Sequence, residues 1–163
     1  MTIPQRYREF LATLPLLEVS YGCGGIKLLA ADELEKGQLG YSVAQNGASL
    51  CSTGPGGWHP DWIVIGHDTA CGDPLLIDTG DPTLPLFTAL SGQGQWEPLP
   101  VAISMDVFAR CLVEFARIAE RRKNPAEKDR NPLPDQERNN FLLFIANMNL
   151  GQQHEFWTAL LDC

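Results

Sequence analysis

The feature that most constrains this chain is Trp62–Ile65, a run of four apolar residues rich in β-branched side chains. A continuous run of this kind is typical of a strand that is buried on both faces of a sheet. Leu75–Ile77 is a second such run, and Gly72 and Asp73 between the two mark a turn. The two runs therefore predict a β-hairpin with a long connection at the centre of the fold.

Further strands are predicted on both sides of this hairpin. Leu17–Ser20 and Ile26–Leu29 lie around the glycine-rich turn Gly22–Gly25. Leu84–Ala89 is a weaker strand, because neighbouring prolines restrict it to an edge or to a strand start. The residues Gln93–Gln95 predict the turn that follows it.

Helices are predicted at both ends of the chain. Apolar residues at helical spacing indicate one over about Pro4–Thr13 and another from Met105 to about Arg122, capped by Ser104. A helical hairpin follows, with Asp135–Asn149 and Gln153–Leu161 as its two helices. The order helix, strands, helices favours an α+β fold with a mainly antiparallel central sheet, flanked by N-terminal and C-terminal helices.

The length of 163 residues fits one domain over residues 1–163. Within it, residues 124–134 are charged and proline-bearing and predict an exposed loop, and residues 135–163 contain the helical hairpin. No apolar run approaches the ~20 residues needed to span a bilayer, and the first residues lack the features of a signal peptide. The five scattered cysteines fit reduced thiols. We expect a soluble, cytoplasmic protein.

Net charge is −8, and Asp61–Asp81 contains five aspartates with no lysine or arginine. Such a segment would repel a phosphate backbone, so we expect neither nucleic acid nor an anionic membrane as a partner. A basic protein would be attracted to it. The alternative is that the acidity serves only solubility.

Residues that could carry catalysis or hold a cofactor do not form a recognised pattern. His59, His67 and His154 are not spaced as metal ligands, and Gly22–Gly25 lacks the spacing of a phosphate-binding loop. We therefore expect no metal and no cofactor.

His67, Asp68 and Cys71 share one predicted loop and raise the possibility of a cysteine nucleophile. Ordinary turn residues explain this composition better, because such triads need a framing fold. Asp73 and Asp78 are five residues apart, so on a regular strand they would point to opposite faces rather than act as an acid–base pair. We expect no catalytic residues.

Trp58 and Trp62 flank Asp61, the first acidic residue of the segment. A tryptophan beside a buried strand is mostly core packing. A partly exposed tryptophan beside aspartates, in contrast, has the composition of a protein-binding hot spot. We take Trp58 as the candidate anchor of a binding surface.

Several segments form an ordered set along the chain: Ile3-Pro4 with Tyr7–Leu11, Leu28-Leu29 with Asp32–Leu34 and Gly40-Tyr41, Trp62–Gly66, Cys71–Asp73 with Leu76–Asp78, Pro85–Phe87, Trp96, and Val101–Met105. Their order and spacing together resemble the SUKH superfamily, which includes fungal cell-wall regulators of the Smi/Knr type. The resemblance implies an α+β fold and, in bacteria, frequent service as an immunity protein that neutralises a cognate toxin, often a nuclease. It implies no catalytic residues.

Together, the charge pattern and the resemblance predict a non-catalytic domain that binds a cognate toxin or another basic protein. In this hypothesis Asp61, Asp68, Asp73 and Asp81 supply the attractive field and Trp58 anchors the partner.

Three alternatives stay open. A regulatory or scaffolding module would bind an endogenous protein partner. A small hydrolase-type enzyme would need a pocket that gathers His67, Cys71 and Asp73. A small-ligand sensor could use the turn Gly22–Gly25, although no residue selects a ligand.

Overall fold

The computed structural model describes residues 3–14, 16–92, 95–152 and 155–162. One sheet contains, in chain order, β1 (Glu18–Tyr21), β2 (Gly24–Leu28), β3 (Trp62–Asp68), β4 (Pro74–Asp78), β5 (Leu86–Gly92) and β6 (Gln95–Ala102). The α-helices are α1 (Gln5–Thr13), α2 (Met105–Ala119), α3 (Pro125–Arg130), α4 (Asp135–Met148) and α5 (Glu155–Asp162). Neighbouring strands are all antiparallel, so the predicted α+β class is confirmed. Within the described ranges, no helix has both the length and the apolar character needed to cross a membrane.

The sheet has two differently covered faces. Alternate residues of β3 and β4, such as Ile63 and Leu75, join the large core under the helices, which we call the helix face. Val64 and Leu76 point the other way into a smaller core, which we call the loop face. Both faces of the central hairpin are buried, as the continuous apolar runs predict.

Aromatic residues of three helices pack over the helix face. Phe108, Phe115, Phe141 and Trp157 are all fully buried there and contact one another through their rings. Trp157 also donates a hydrogen bond from Nε1 to the carbonyl of Val101 over 2.9 Å. This bond fixes α5 against β6 and sets one wall of the groove described below.

The loop face is covered by the irregular chain between β2 and β3. Trp58 is buried at its centre, against Tyr41, Trp62 and Trp96. Gln38 completes the cover: its amide accepts from the Val64 N–H at 3.0 Å and donates to the Val64 carbonyl at 2.8 Å. Because β2 has ended at this point, the side chain satisfies strand groups that would otherwise lack a partner.

The structure adds one strand to the predicted sheet and places another more exactly. The added strand is β6, which contains Pro98 and Pro100, residues that an interior strand does not tolerate. Both prolines occupy alternate positions of an edge strand, where the missing N–H faces away from β5. β5 is an interior strand rather than an edge, and Pro85 stands just before its first residue, as a strand start requires. The predicted turn at Gln93–Gln95 includes Gln93 and Gly94, which lie outside the described residues.

The predicted loop at residues 124–134 is also corrected, because it contains helix α3. Asn124 caps this helix by accepting from the Glu127 N–H at 3.0 Å, and Pro125 occupies its first turn, where a missing N–H costs nothing. The predicted helical hairpin is present as α4 and α5, although Gln153 and His154 lie outside the described residues.

Candidate partner-binding surface

The aspartates of the acidic segment lie at opposite ends of the β3–β4 hairpin. Asp61 precedes β3, whereas Asp68 is the last residue of that strand. Seven residues of extended chain separate them, or about 23 Å at ~3.3 Å per residue. Asp81 follows β4 and so lies at the same end of the hairpin as Asp61. Asp73 precedes β4 and lies at the opposite end, with Asp68. The predicted acidic residues therefore form two separate groups.

The first group, which we call the Asp61 end, consists of Asp61, Asp78 and Asp81. The Asp61 side chain is half exposed, and its Oδ2 lies 3.7 Å from Nδ1 of His59. Asp78 accepts from the Gly80 N–H at 2.9 Å, as is usual for an aspartate that stabilises a turn.

Asp81 also has a local structural role at this end. Its Oδ1 accepts from both the backbone N–H and the hydroxyl of Thr83, each over 2.7 Å. These hydrogen bonds lower the pKa of the Asp81 carboxyl below its usual value. A cation is close by, because Arg6 donates to the carbonyl of Pro82. The Asp61 end is exposed, but its charges are partly engaged.

At the other end, Asp68 is buried and serves the turn. It is only 6% exposed, and its carboxylate accepts from the N–H groups of Ala70 at 2.9 Å, Cys71 at 2.7 Å and Asp73 at 2.9 Å. The three backbone N–H donors replace the solvation that the carboxylate loses on burial. Asp68 therefore organises the connection between β3 and β4 rather than presenting its charge to a partner.

Asp73 is placed differently from Asp68, although they share a turn. It is half-buried, and burial raises the pKa of its carboxyl, with a further increase from the nearby charge of Asp68. Among the described residues, no lysine, arginine or histidine forms an ion pair with it. Asp73 is thus a carboxylate whose desolvation no cation of the described chain offsets.

Asp73 borders a groove of about 530 Å³ on the helix face, between the β3–β4 turn, the strands β5 and β6, and helix α5. Most of its lining is apolar and comes from strands and helix together. The residues that line it are Asp68, Ala70, Cys71, Asp73, Thr88, Leu90, Leu99, Glu155, Phe156, Ala159, Leu160 and Asp162. We call this the α5 groove. Its volume lies within the usual range for binding clefts.

Trp58, the predicted anchor, is not available on the surface. It is 1% exposed, and its Nε1 donates to the Trp62 carbonyl over 3.3 Å. The prediction of a surface anchor is therefore wrong, because the chain before β3 folds back over the loop face and buries the indole against Tyr41 and Trp96. Trp58 is core packing.

Cys71 and His67, the thiol and imidazole of the suggested cysteine nucleophile, lie in different parts of the structure. Cys71 lines the α5 groove, whereas His67 lines a shallow hollow on the loop face beside Tyr41 and Leu29. The sheet separates the two side chains. Asp73 and Asp78 lie at opposite ends of β4 and form no acid–base pair. In the described ranges, no three histidine, cysteine, aspartate or glutamate side chains are grouped closely enough to hold a metal ion.

Sequence reasoning missed the residues that build the α5 groove. Leu90 continues the alternation of Leu86 and Thr88 on the helix face, which is a period-two signal that a longer strand prediction would have found. Glu155 and Phe156 are remote in sequence and reach the groove only because α5 docks on β6. No local pattern reveals that contact.

Comparisons of the chain with family models, with curated proteins and with solved structures each gave no match. Function is therefore inferred from the chain's own residues.

Proposed function

We propose that this chain is a non-catalytic protein-binding domain whose partner carries a basic surface, and that it serves as an immunity protein against a toxin with such a surface. The observation that carries the proposal is the distribution of charge. Between Lys36 and Arg110 the chain contains seven carboxylates and no lysine or arginine. That stretch includes four of the six strands, β3 to β6.

The carboxylates of this stretch reach the surface at both ends of the β3–β4 hairpin. Asp61 and Asp81 are exposed at one end, and Asp73 is half-exposed at the other. Among the described residues, Arg6 lies close to Asp81, because it donates to the carbonyl of Pro82, and Arg138 pairs with Asp162 over 2.7 Å. An excess of negative potential attracts a basic partner over long range and speeds its association.

The resemblance to the SUKH superfamily supports a more specific proposal, in which this binding function is that of an immunity protein. Many toxins that cleave nucleic acids hold phosphate with cationic side chains, and a surface of carboxylates can occupy such a site in place of the phosphate. Inhibition of this kind needs no catalytic group in the inhibitor. It needs an acidic field and a smaller number of desolvated contacts that slow dissociation.

The test begins with capture of partners by the tagged domain from the cells that produce it. The captured protein is then expressed alone and together with the domain. We expect growth arrest when it is expressed alone and rescue on co-expression. A captured protein that is harmless by itself would favour the alternative of a regulatory or scaffolding module.

Charge is tested with a triple variant, Asp61→Asn, Asp73→Asn and Asp81→Asn. A control variant neutralises three exposed carboxylates outside the stretch, Glu35→Gln, Glu120→Gln and Asp129→Asn. We expect the first variant to lower the association rate and to weaken its salt dependence, because exposed charges act mainly on encounter. Equal effects of the two variants would contradict a specific acidic surface.

A further inference from the structure

The α5 groove has features that core packing alone does not explain. Its apolar lining remains open to solvent, and Leu90 is 41% exposed although it continues the buried side of β5. Leu99, Phe156 and Ala159 complete an apolar floor. Water in contact with such a floor is displaced favourably by an apolar group of matching shape.

Carboxylates border this floor, and two of them have no cationic partner in the described chain. Asp162 is paired with Arg138, and Asp68 is engaged by the turn. Asp73 from the β3–β4 turn and Glu155 from the start of α5 form no ion pair among the described residues. Glu155 lies in the first turn of α5, where the helix dipole stabilises a negative charge. Asp73 lies in a turn and does not gain this stabilisation.

A polar group in the groove wall is also unsatisfied. Thr88 is 4% exposed, and its hydroxyl has no hydrogen-bond partner among the described residues. It lies in the middle of the sheet, paired with Leu75 and Leu99. A buried hydroxyl without a partner is destabilising, and Thr88 is one of the residues that line the groove.

We propose that the α5 groove is the docking site for a segment of the basic partner in which an apolar side chain stands beside a lysine or arginine. The inference rests on the proposed function and names the part of the surface that holds the partner. The apolar side chain covers Leu90 and Phe156, the cation pairs with Asp73 and Glu155, and Thr88 accepts from or donates to the segment. Charge complementarity selects this occupant, because no lysine or arginine is among the described residues that line the groove.

A lysine or arginine side chain suits such a site better than a small cation without an aliphatic part. Its aliphatic stem lies along an apolar floor while its charged end reaches the rim. The attraction of a cation at the rim also offsets the unfavourable free energy of desolvating the Asp73 carboxylate. The contact therefore combines an apolar part with a charged part, and loss of either weakens it.

The test uses three blocked hexapeptides that differ only in their two central residues, which are Leu-Lys, Leu-Glu or Ser-Lys. Each is titrated into the ¹⁵N-labelled full chain at about millimolar concentration, the affinity range of so small a contact. We expect saturable amide shifts at Cys71, Leu90 and Ala159 with the Leu-Lys peptide. The other two peptides should bind at least about fivefold more weakly, since each lacks one of the two contacts.

Variants connect these shifts with the named groups. The pair Asp73→Asn and Glu155→Gln should weaken the Leu-Lys peptide by about tenfold, as the loss of two charge contacts implies. The matched pair Glu35→Gln and Asp129→Asn, at exposed carboxylates outside the acidic stretch, should leave its affinity unchanged. Thr88→Val keeps the shape and should leave thermal stability equal or higher while lowering peptide affinity by about threefold.

Three results would overturn the inference: no saturable shifts with the Leu-Lys peptide, shifts centred on Asp61 and Asp81, or equally tight binding of hexylamine, which would make the groove a site for small amines. A captured partner that binds the Asp73→Asn, Glu155→Gln variant normally would also overturn it while leaving the proposed function intact. If the peptide binds in the groove but no basic partner is captured, the proposed function is refuted, whereas the assignment of the groove as a docking site is supported.

Discussion

The two ends of the β3–β4 hairpin carry similar numbers of aspartates but use them differently. At the Asp61 end, Asp61 and Asp81 are exposed, and Asp78 and Asp81 accept hydrogen bonds from their own turns. The hydrogen bonds from Thr83 lower the pKa of the Asp81 carboxyl. At the groove end Asp68 is buried by a complete set of backbone donors. Among the described residues, its neighbour Asp73 has no such set of donors, and the pKa of its carboxyl is raised. A charge count cannot distinguish these cases.

The difference teaches that acidic turn residues have to be separated by what their oxygens contact before they are assigned to binding. A carboxylate that accepts from nearby N–H groups is part of the backbone's hydrogen bonding, whatever its net charge suggests. A carboxylate that is desolvated without a donor or cation has an interaction left to make. By this criterion Asp73 is a stronger candidate for partner binding than Asp68 or Asp81.

The largest effect should come from removing the carboxylate of Asp68. Asp68→Ala leaves three backbone N–H groups of the turn without acceptors, and we expect a loss of about 2–4 kcal/mol in the free energy of unfolding. Urea unfolding at neutral pH measures it. Asp61→Ala is the matched control at the exposed end and should cost less than about 0.5 kcal/mol. Equal losses would remove the distinction between the two ends.

The central hairpin could be predicted from sequence because Trp62–Ile65 and Leu75–Ile77 encode their burial locally. β6 could not, since Pro98 and Pro100 are acceptable only at an edge, and which strand is an edge depends on the whole sheet. For the candidate site, sequence reasoning identified Asp73 but could not place it beside Glu155. That neighbourhood is created by the docking of α5, more than 80 residues along the chain.

Trp58 shows the same limit in the opposite direction. A tryptophan beside aspartates is equally compatible with an exposed hot spot and with a buried core. Only the path of residues 39–61 over the loop face decides between them. The isolated bridge between Cys51 and Trp58 is part of that irregular path. Irregular segments carry no periodicity, so their side chains cannot be assigned to a face from sequence.

A smaller effect is expected from the charge of Asp81, and it depends on pH. Because its pKa is lowered in the folded protein, its ionised form contributes stability above the unfolded pKa, and this contribution is lost as pH falls through the lower folded value. Asp81→Asn should therefore be less stable than the parent at about pH 7, and this deficit should shrink as pH falls through the lowered folded pKa and vanish below it. Urea unfolding over a series of acidic pH values tests this, and a deficit that does not change with pH would assign it to geometry rather than charge.

The smallest effect, of opposite sign, is expected at Asp73. Among the described residues, the titratable groups that face or influence it are Asp68, Cys71, Glu155, Asp162 and the phenol of Tyr41, and none of them is a cation. Its raised pKa means that the folded protein takes up this proton more readily than the unfolded chain, so stability rises as pH falls through the folded value. Asp73→Asn should accordingly match or slightly exceed the parent at about pH 7, and any advantage should vanish in acid. Carboxyl NMR titration alongside urea unfolding measures both quantities. A destabilised Asp73→Asn at neutral pH would mean that the carboxylate already has a favourable partner in the folded chain, and Asp73 would then join Asp68 as a residue that serves the turn.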